Sequence, residues 1–137
     1  MQQQLEQVKT FQLAFGQKVA EKPQLVDLEK AHLRYDLGKE ELDEYLEAVE
    51  HKDLVGVVDS LTDQLYILCG TILEHGMQHI IEDCFTEVQN SNMSKLDNDG
   101  KPIINGENGV FDESRPKGKI LKSKNFREPN LKQFLVC

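Results

Sequence analysis

The sequence predicts an all-α protein: an antiparallel bundle of about four helices, followed by an irregular segment with room for a short hairpin. Three observations predict it. Residues 28–50 keep a helical rhythm without proline, residues 54–73 are apolar except for Asp59 and Asp63, and only His51, Lys52 and Asp53 separate the two stretches. At 137 residues, with 39% hydrophobic and 29% charged side chains, the chain has the size of one globular domain that buries a core without staples. We therefore expect one domain over 1–137, with a helical core over about 1–95 and an irregular basic segment over about 96–137.

Residues 3–15 place Leu5, Val8, Phe11, Leu13 and Phe15 at loose helical spacing, which predicts a first packing helix ending near Gly16. Residues 17–27 contain Pro23 and read as a loop, with Asp27 as the N-cap of the next helix. That helix runs from Leu28 to about Glu50. With Glu40 set at zero, Leu33, Leu37 and Ala48 fall at roughly 20°, 60° and 80°, and Tyr45, Val49, Leu42 and Leu46 between roughly 140° and 240°. Glu44 at roughly 40° and Glu41 at roughly 100° lie inside this apolar arc, with Glu40 on its edge. Asp43, Glu47 and Glu50 fall opposite, where solvated charge belongs. A carboxylate on an apolar stripe must be ion-paired, protonated or bound to a metal. Pairing with Arg34 or Lys39 is the alternative to metal coordination.

Asp53 is placed to cap the following helix, which is apolar almost all round and should sit centrally. Leu54, Val57, Val58, Leu61, Leu65, Leu68 and Ile72 form its broad stripe. Asp59 and Asp63 share another face with Gly56, Ile67 and Gly70, and two like charges side by side on a buried helix cost stability unless a cation neutralises them. Magnesium suits such a site, with manganese as the alternative, because hard cations take carboxylate oxygens and keep waters that phosphate can replace. A di-iron site would need ExxH pairs on two helices. Only Glu29 and His32 have that spacing and no HExxH occurs, so no histidine is assigned as a ligand.

The run 54–73 has the length of a membrane span, but Asp59, Asp63, Thr62, Gln64 and two glycines make insertion costly, so we expect a buried helix and no membrane association. Cys69, Cys84 and Cys137 are odd in number and form no CxxC pair, and the start MQQQLEQVKTF lacks the features of a secretory signal; both point to a cytoplasmic location. A net charge of -8 argues against a stable nucleic-acid partner. An acidic protein that handles phosphates needs cations to do it.

Gln78 to Val88 places Ile80, Ile81, Cys84, Phe85 and Val88 on a fourth helix that continues toward QNSNMSKL. Beyond Leu96 the stretch DNDGKPIINGENG predicts turns, with Ile103 and Ile104 as a short strand. Residues 115–132 are basic, with Arg115, Lys117, Lys119, Lys122, Lys124, Arg127 and Lys132 against Glu128. This is either solvated charge or a flap for a metal-bound polyphosphate, whose oxygens lysines neutralise as point charges.

The pattern RxxLxxEELxE, here Arg34, Leu37, Glu40, Glu41, Leu42 and Glu44, followed by DLVxVVDSLxDxLYxxxGTxxxHG from Asp53 to Gly76, resembles the MazG-like and phosphoribosyl-ATP pyrophosphohydrolase-like superfamily of all-α NTP pyrophosphatases. EVQNSNMSKLDNDGKPI and GKILKSKNF resemble one branch of it, so the resemblance covers most of the chain from Leu28 onward. It implies magnesium-dependent hydrolysis of a nucleoside triphosphate between the α and β phosphates, giving a monophosphate and pyrophosphate. By position it implies Glu41, Glu44 and Asp63 as metal ligands, and Glu40 as a ligand or as the catalytic group that orients and deprotonates water. Much of the family has ExxD on the second helix. Ser60 stands where that Glu would be, and Asp59, one helical step back, is the substitute. The resemblance also sets Asn92 and Lys95 near nucleotide and Lys119, Lys122 and Lys124 over the site, while Tyr66 fits either the core or a nucleobase wall. Phosphoribosyl-ATP cleavage, disfavoured by the extra carboxy-terminal segment, and a non-catalytic helical interaction module are the alternatives. The apolar second helix further predicts a homo-oligomer, dimer or tetramer.

Overall fold

The computed structural model describes residues 1–135; Val136 and Cys137, the third cysteine, lie outside the described residues. Four α-helices are present among the described residues: α1 (Gln2–Ala14), α2 (Leu28–Glu50), α3 (Leu54–Glu74) and α4 (Ile81–Met93). A two-stranded antiparallel pairing of β1 (Ile103–Ile104) with β2 (Ile120–Leu121) and a 3-10 turn at Leu131–Phe134 follow. The protein is all-α with an irregular carboxy-terminal segment, and it forms two compact units, Met1–Ile81 and one beginning at Glu82. Residues 1–81 carry 15 acidic and seven basic side chains and the remainder nine of each, so the whole net charge of -8 belongs to the first unit.

In the first unit both expected caps form. The Asp27 side chain accepts from the Lys30 amide at 2.8 Å, and Asp53 accepts from the amides of Val55 at 3.0 Å and Gly56 at 3.1 Å. Each cap satisfies amides that the helix itself cannot, worth about 1 kcal/mol. The turn between α2 and α3 therefore closes in three residues, and α3 packs along α2 and against α1. Its core joins Leu5 and Val8 of α1 to Cys69, Ile72 and Leu73 of α3.

This core is smaller than the apolar pattern predicts. Of the stripe expected to be buried, only Ile72 is; Leu54, Val58, Leu61, Leu65 and Leu68 are 42% to 75% exposed. On α2, Leu33, Leu42, Tyr45, Leu46 and Val49 are exposed as well. The reason is length: α1 has 13 residues and meets α3 at its carboxy-terminal half, leaving the other half without a covering helix in this unit. No helix among the described residues is long and apolar enough to cross a membrane.

A polar crosslink fastens the three helices beside the core. Arg34 of α2 donates from Nε to the Thr71 hydroxyl at 3.0 Å and from Nη2 to the Ile67 carbonyl, and its Nη1 lies 3.8 Å from Glu74 Oε1. Gln12 of α1 donates to the Gly70 carbonyl at 3.3 Å and to Glu74 Oε1 at 3.5 Å, and Lys30 Nζ lies 3.8 Å from the same carboxylate oxygen. Gly70 makes this possible, because a Cβ there would stand 2.5 Å from Arg34 Nη2 and 3.3 Å from Gln12 Nε2.

α4 begins at Ile81, the last residue of the first unit, rather than at Gln78, which is buried with its side-chain amide donating to the Ala20 carbonyl at 2.8 Å. The later chain is strapped along α4: Glu87 accepts from Arg127 at 2.9 Å and from the Asn130 amide at 3.0 Å, and the Ser91 hydroxyl donates to the Arg127 carbonyl at 2.8 Å. Asn105 is fully buried and pins the loop between the strands, donating to the Asp112 and Arg115 carbonyls and accepting from the Asp112 amide. Gly70→Ala should lower the unfolding free energy by about 1–3 kcal/mol in urea denaturation, since the new methyl must displace the guanidinium. An unchanged midpoint would show that Arg34 does not need its present path.

Candidate metal centre

The antiparallel hairpin sets the EExxE segment of α2 beside the aspartates of α3. Its registration is visible at Gln64, whose amide donates to the Glu41 backbone carbonyl at 3.3 Å. Glu41 is half-buried, and its Oε2 is shut off from solvent with no hydrogen-bond partner. Burial pushes the Glu41 carboxyl above its usual range, and repulsion from Glu44, Asp63, Glu40 and Asp59 pushes it further. The structure thus brings all five sequence-predicted carboxylates into one electrostatic neighbourhood, with Glu41 at its centre.

Neither basic residue of α2 that the sequence offers as a partner balances them. Arg34 is committed to Thr71, Ile67 and Glu74, and Lys39 pairs with Asp43, which holds its ammonium above the ordinary lysine value. Among the described residues no ion pair reaches Glu40, Glu41, Glu44, Asp59 or Asp63. The ion-pair alternative for Glu41 and Glu44 therefore fails at both of its proposed partners.

One expectation needs correction. Glu40, Glu44, Asp59 and Asp63 were placed on faces expected to be buried, yet all four are exposed in the single chain. The apolar arc around them is itself uncovered, so position on that arc does not mean burial here. Glu44 and Asp59 line a cleft of about 380 Å³ at the closed end of the hairpin, together with Glu47, His51, Asp53 and Gly56. Glu47, expected to be only a solvated charge, is exposed but also lines this cleft. Ser60 is 1% exposed and donates to the Val57 carbonyl at 3.3 Å, whereas Asp59 beside it faces the cleft.

A buried carboxylate oxygen without a donor, surrounded by four further carboxylates and no cation, suits a hard divalent ion. Among the described residues no three Asp, Glu, His or Cys side chains are drawn into a closed ligand set.

One helical turn along the hairpin, a cavity of about 220 Å³ opens between α1, α2 and α3, lined by residues including Phe11, Gln12, Arg34, Leu37 and Tyr66. Tyr66 is 40% exposed and meets Phe11 edge-on with ring centroids 5.7 Å apart, so it stands at the mouth of a cavity rather than in the core. Gln12 and Phe11 have no place in the sequence-predicted site. Gln12 is a lone polar residue between Phe11 and Leu13, and its i, i+3, i+7 register with Leu5 and Val8 marks the buried face.

The remaining predicted residues lie in the second unit. Lys95 donates to the Asn92 side chain at 2.7 Å; Lys122 pairs with Glu128 at 2.7 Å and lies 4.2 Å above the Phe126 ring; Lys119 and Lys124 are exposed.

The fold and site define an all-α protein whose helical hairpin sets acidic side chains of both helices around the half-buried Glu41. A family model described as phosphoribosyl-ATP pyrophosphohydrolase matches residues 8–92, more than half of the chain, so the chain belongs to that family. It falls within the MazG-like all-α NTP pyrophosphatase superfamily and is a hydrolase of the pyrophosphohydrolase type. No curated protein matches the chain. The match takes in all five carboxylates, Gln12, Tyr66 and Asn92, and ends before Lys95.

A carboxyl raised in the folded state holds its proton to higher pH than in the unfolded chain, so its contribution to stability falls as pH climbs from the ordinary carboxylate value through the raised one. Without divalent ions, the urea midpoint of wild type should decline over that window, and Glu41→Gln should remove the Glu41 part of the decline. Parallel profiles for the two proteins would contradict the placement of Glu41.

Proposed function

We propose that the chain is a magnesium-dependent nucleoside triphosphate pyrophosphohydrolase that cleaves between the α and β phosphates, giving a nucleoside monophosphate and pyrophosphate. One observation carries it: the unpartnered Glu41 oxygen amid Glu40, Glu44, Asp59 and Asp63. These five would hold the magnesium. When bound, the ion supplies charge neutralisation for the polyphosphate and a lowered pKa for water.

The chain's own residues divide the rest of the work. Glu41, Glu44, Asp59 and Asp63 fix the position of the cationic charge and so the register of the phosphates. Glu40, exposed beside Glu41, accepts the proton as a water oxygen bonds to phosphorus and the α–β bridging P–O bond breaks, releasing pyrophosphate. By resemblance we assign Asn92 to the nucleotide, and by charge and resemblance Lys95, Lys119, Lys122 and Lys124 to its phosphates, with Lys122 first leaving Glu128.

A second reading, phosphoribosyl-ATP pyrophosphohydrolysis, is favoured by the family description and differs in substrate rather than chemistry. The segment beyond residue 92, outside the family match, supports the triphosphate reading. The exposed apolar faces of α2 and α3 support a homodimer or homotetramer, because a single soluble chain rarely leaves so much contiguous apolar surface open. Sedimentation at micromolar concentration should find no monomer.

Pyrophosphate release should be measured over a panel of nucleoside triphosphates and phosphoribosyl-ATP, with and without magnesium. At least one triphosphate should be cleaved, only with the ion, and Glu41→Gln and Asp63→Asn should each reduce kcat by about 100-fold or more while melting as cooperatively as wild type. Cleavage of phosphoribosyl-ATP alone would select the second reading. No release from any substrate would leave a helical interaction module.

A further inference from the structure

The loop between β1 and β2 contains two Asn-Gly pairs, Asn105–Gly106 and Asn108–Gly109. Asparagine is a thermolabile side chain, and a following glycine exposes it further, because no Cβ keeps the next backbone nitrogen away from the side-chain carbonyl carbon. The structure treats the two pairs in opposite ways.

Asn105 is fully buried. Its Nδ2 donates to the carbonyls of Asp112 at 3.0 Å, Arg115 at 2.8 Å and Pro116 at 3.2 Å, and its Oδ1 accepts from the Asp112 amide at 2.7 Å. The Gly106 amide donates to the Val110 carbonyl at 2.8 Å. The Lys117 stem also covers Gly106, so closely that a Cβ there would stand 2.9 Å from Lys117 Cγ. Side-chain amide and backbone nitrogen are therefore both held in place.

Asn108 and Gly109 are exposed. They form the centre of a tight turn, at φ of 51° and 77°, closed by the Val110 amide donating to the Glu107 carbonyl at 2.9 Å. Asparagine and glycine are the residues that adopt positive φ most readily, which accounts for their presence at this turn. The turn uses neither of the groups that can react. Among the described residues no hydrogen bond holds the Asn108 side chain or the Gly109 amide, and nothing lies within 4 Å of where a Cβ on Gly109 would stand.

We infer that Asn108 is a site of spontaneous deamidation in the folded protein, with water as its only co-reactant, and that Asn105 is protected by the fold. The Gly109 nitrogen gives its proton to solvent base and bonds to Asn108 Cγ. The Cγ–Nδ2 bond breaks, and Nδ2 takes a proton from water and leaves as ammonia. Water then adds to one carbonyl of the resulting five-membered imide. Opening at Cγ leaves aspartate; opening at the backbone carbonyl leaves isoaspartate, which puts one extra methylene into the main chain. Either product places a new carboxylate on the turn.

The test holds the full chain in mildly alkaline buffer, folded and in parallel in unfolding urea, and follows the Asn-to-Asp mass gain, with fragment masses assigning it to residue 105 or 108. Aspartate and isoaspartate are separated by chromatography. In the folded protein Asn108 should convert about tenfold or more faster than Asn105, which reacts only after its hydrogen bonds open. In urea the two rates should agree within about threefold, because the contacts that distinguish them are gone. Asn108→Gln should leave the folded loop unconverted. Equal rates at the two positions in the folded chain, or conversion of Asn108 only in urea, would overturn the inference.

Discussion

Glu41 sits half-buried on a two-helix hairpin, one carboxylate oxygen shut off from water, with carboxylates ahead of it, behind it and across from it. Its own helix supplies Glu40 and Glu44, and the facing helix supplies Asp59 and Asp63. Burial alone would favour the neutral acid, and every neighbour pushes in the same direction. Among the described residues no ion pair reaches these carboxylates, so the packing of α2 on α3 brings like charges together at this point. A divalent ion bound there, as proposed, would offset that repulsion.

The other end of the same hairpin shows how the chain treats a buried carboxylate when it intends only structure. Glu74 is as sheltered as any charged group in the first unit, 6% exposed, but Arg34, Lys30 and Gln12 surround it at 3.5–3.8 Å. The hairpin thus has a compensated end, where Arg34 threads past Gly70 to tie the helices, and an uncompensated one. Between them lies the Gln12 cavity. The Gln12 amide that donates to Glu74 also donates to the Gly70 carbonyl, so one side chain of α1 serves two groups of α3.

Much of this was legible in the sequence because it depends on local rules. Asp27 and Asp53 announce the starts of α2 and α3, Ile103 and Ile104 announce a strand, and the angular reading of α2 puts Glu41 and Glu44 inside the apolar arc, of which Glu41 alone is half-buried. What failed has a common cause. Helical periodicity shows that a face is apolar, not what covers it, so the Leu54 to Leu68 stripe looked like core although α1 is too short to reach it. Glu40, Glu44, Asp59 and Asp63 inherited the same error. Gln12 was invisible for a different reason: its partners Gly70 and Glu74 are 58 and 62 residues away, and no local pattern encodes such a pairing.

The most direct measurement is a magnesium titration of thermal stability at constant ionic strength. If Glu41 and its neighbours hold the ion, wild type should gain about 2.7 kcal/mol at a hundredfold excess over Kd, potassium should not substitute, and Glu41→Gln should lose most of the gain. An equal shift in Glu41→Gln, or none in wild type, would contradict the account.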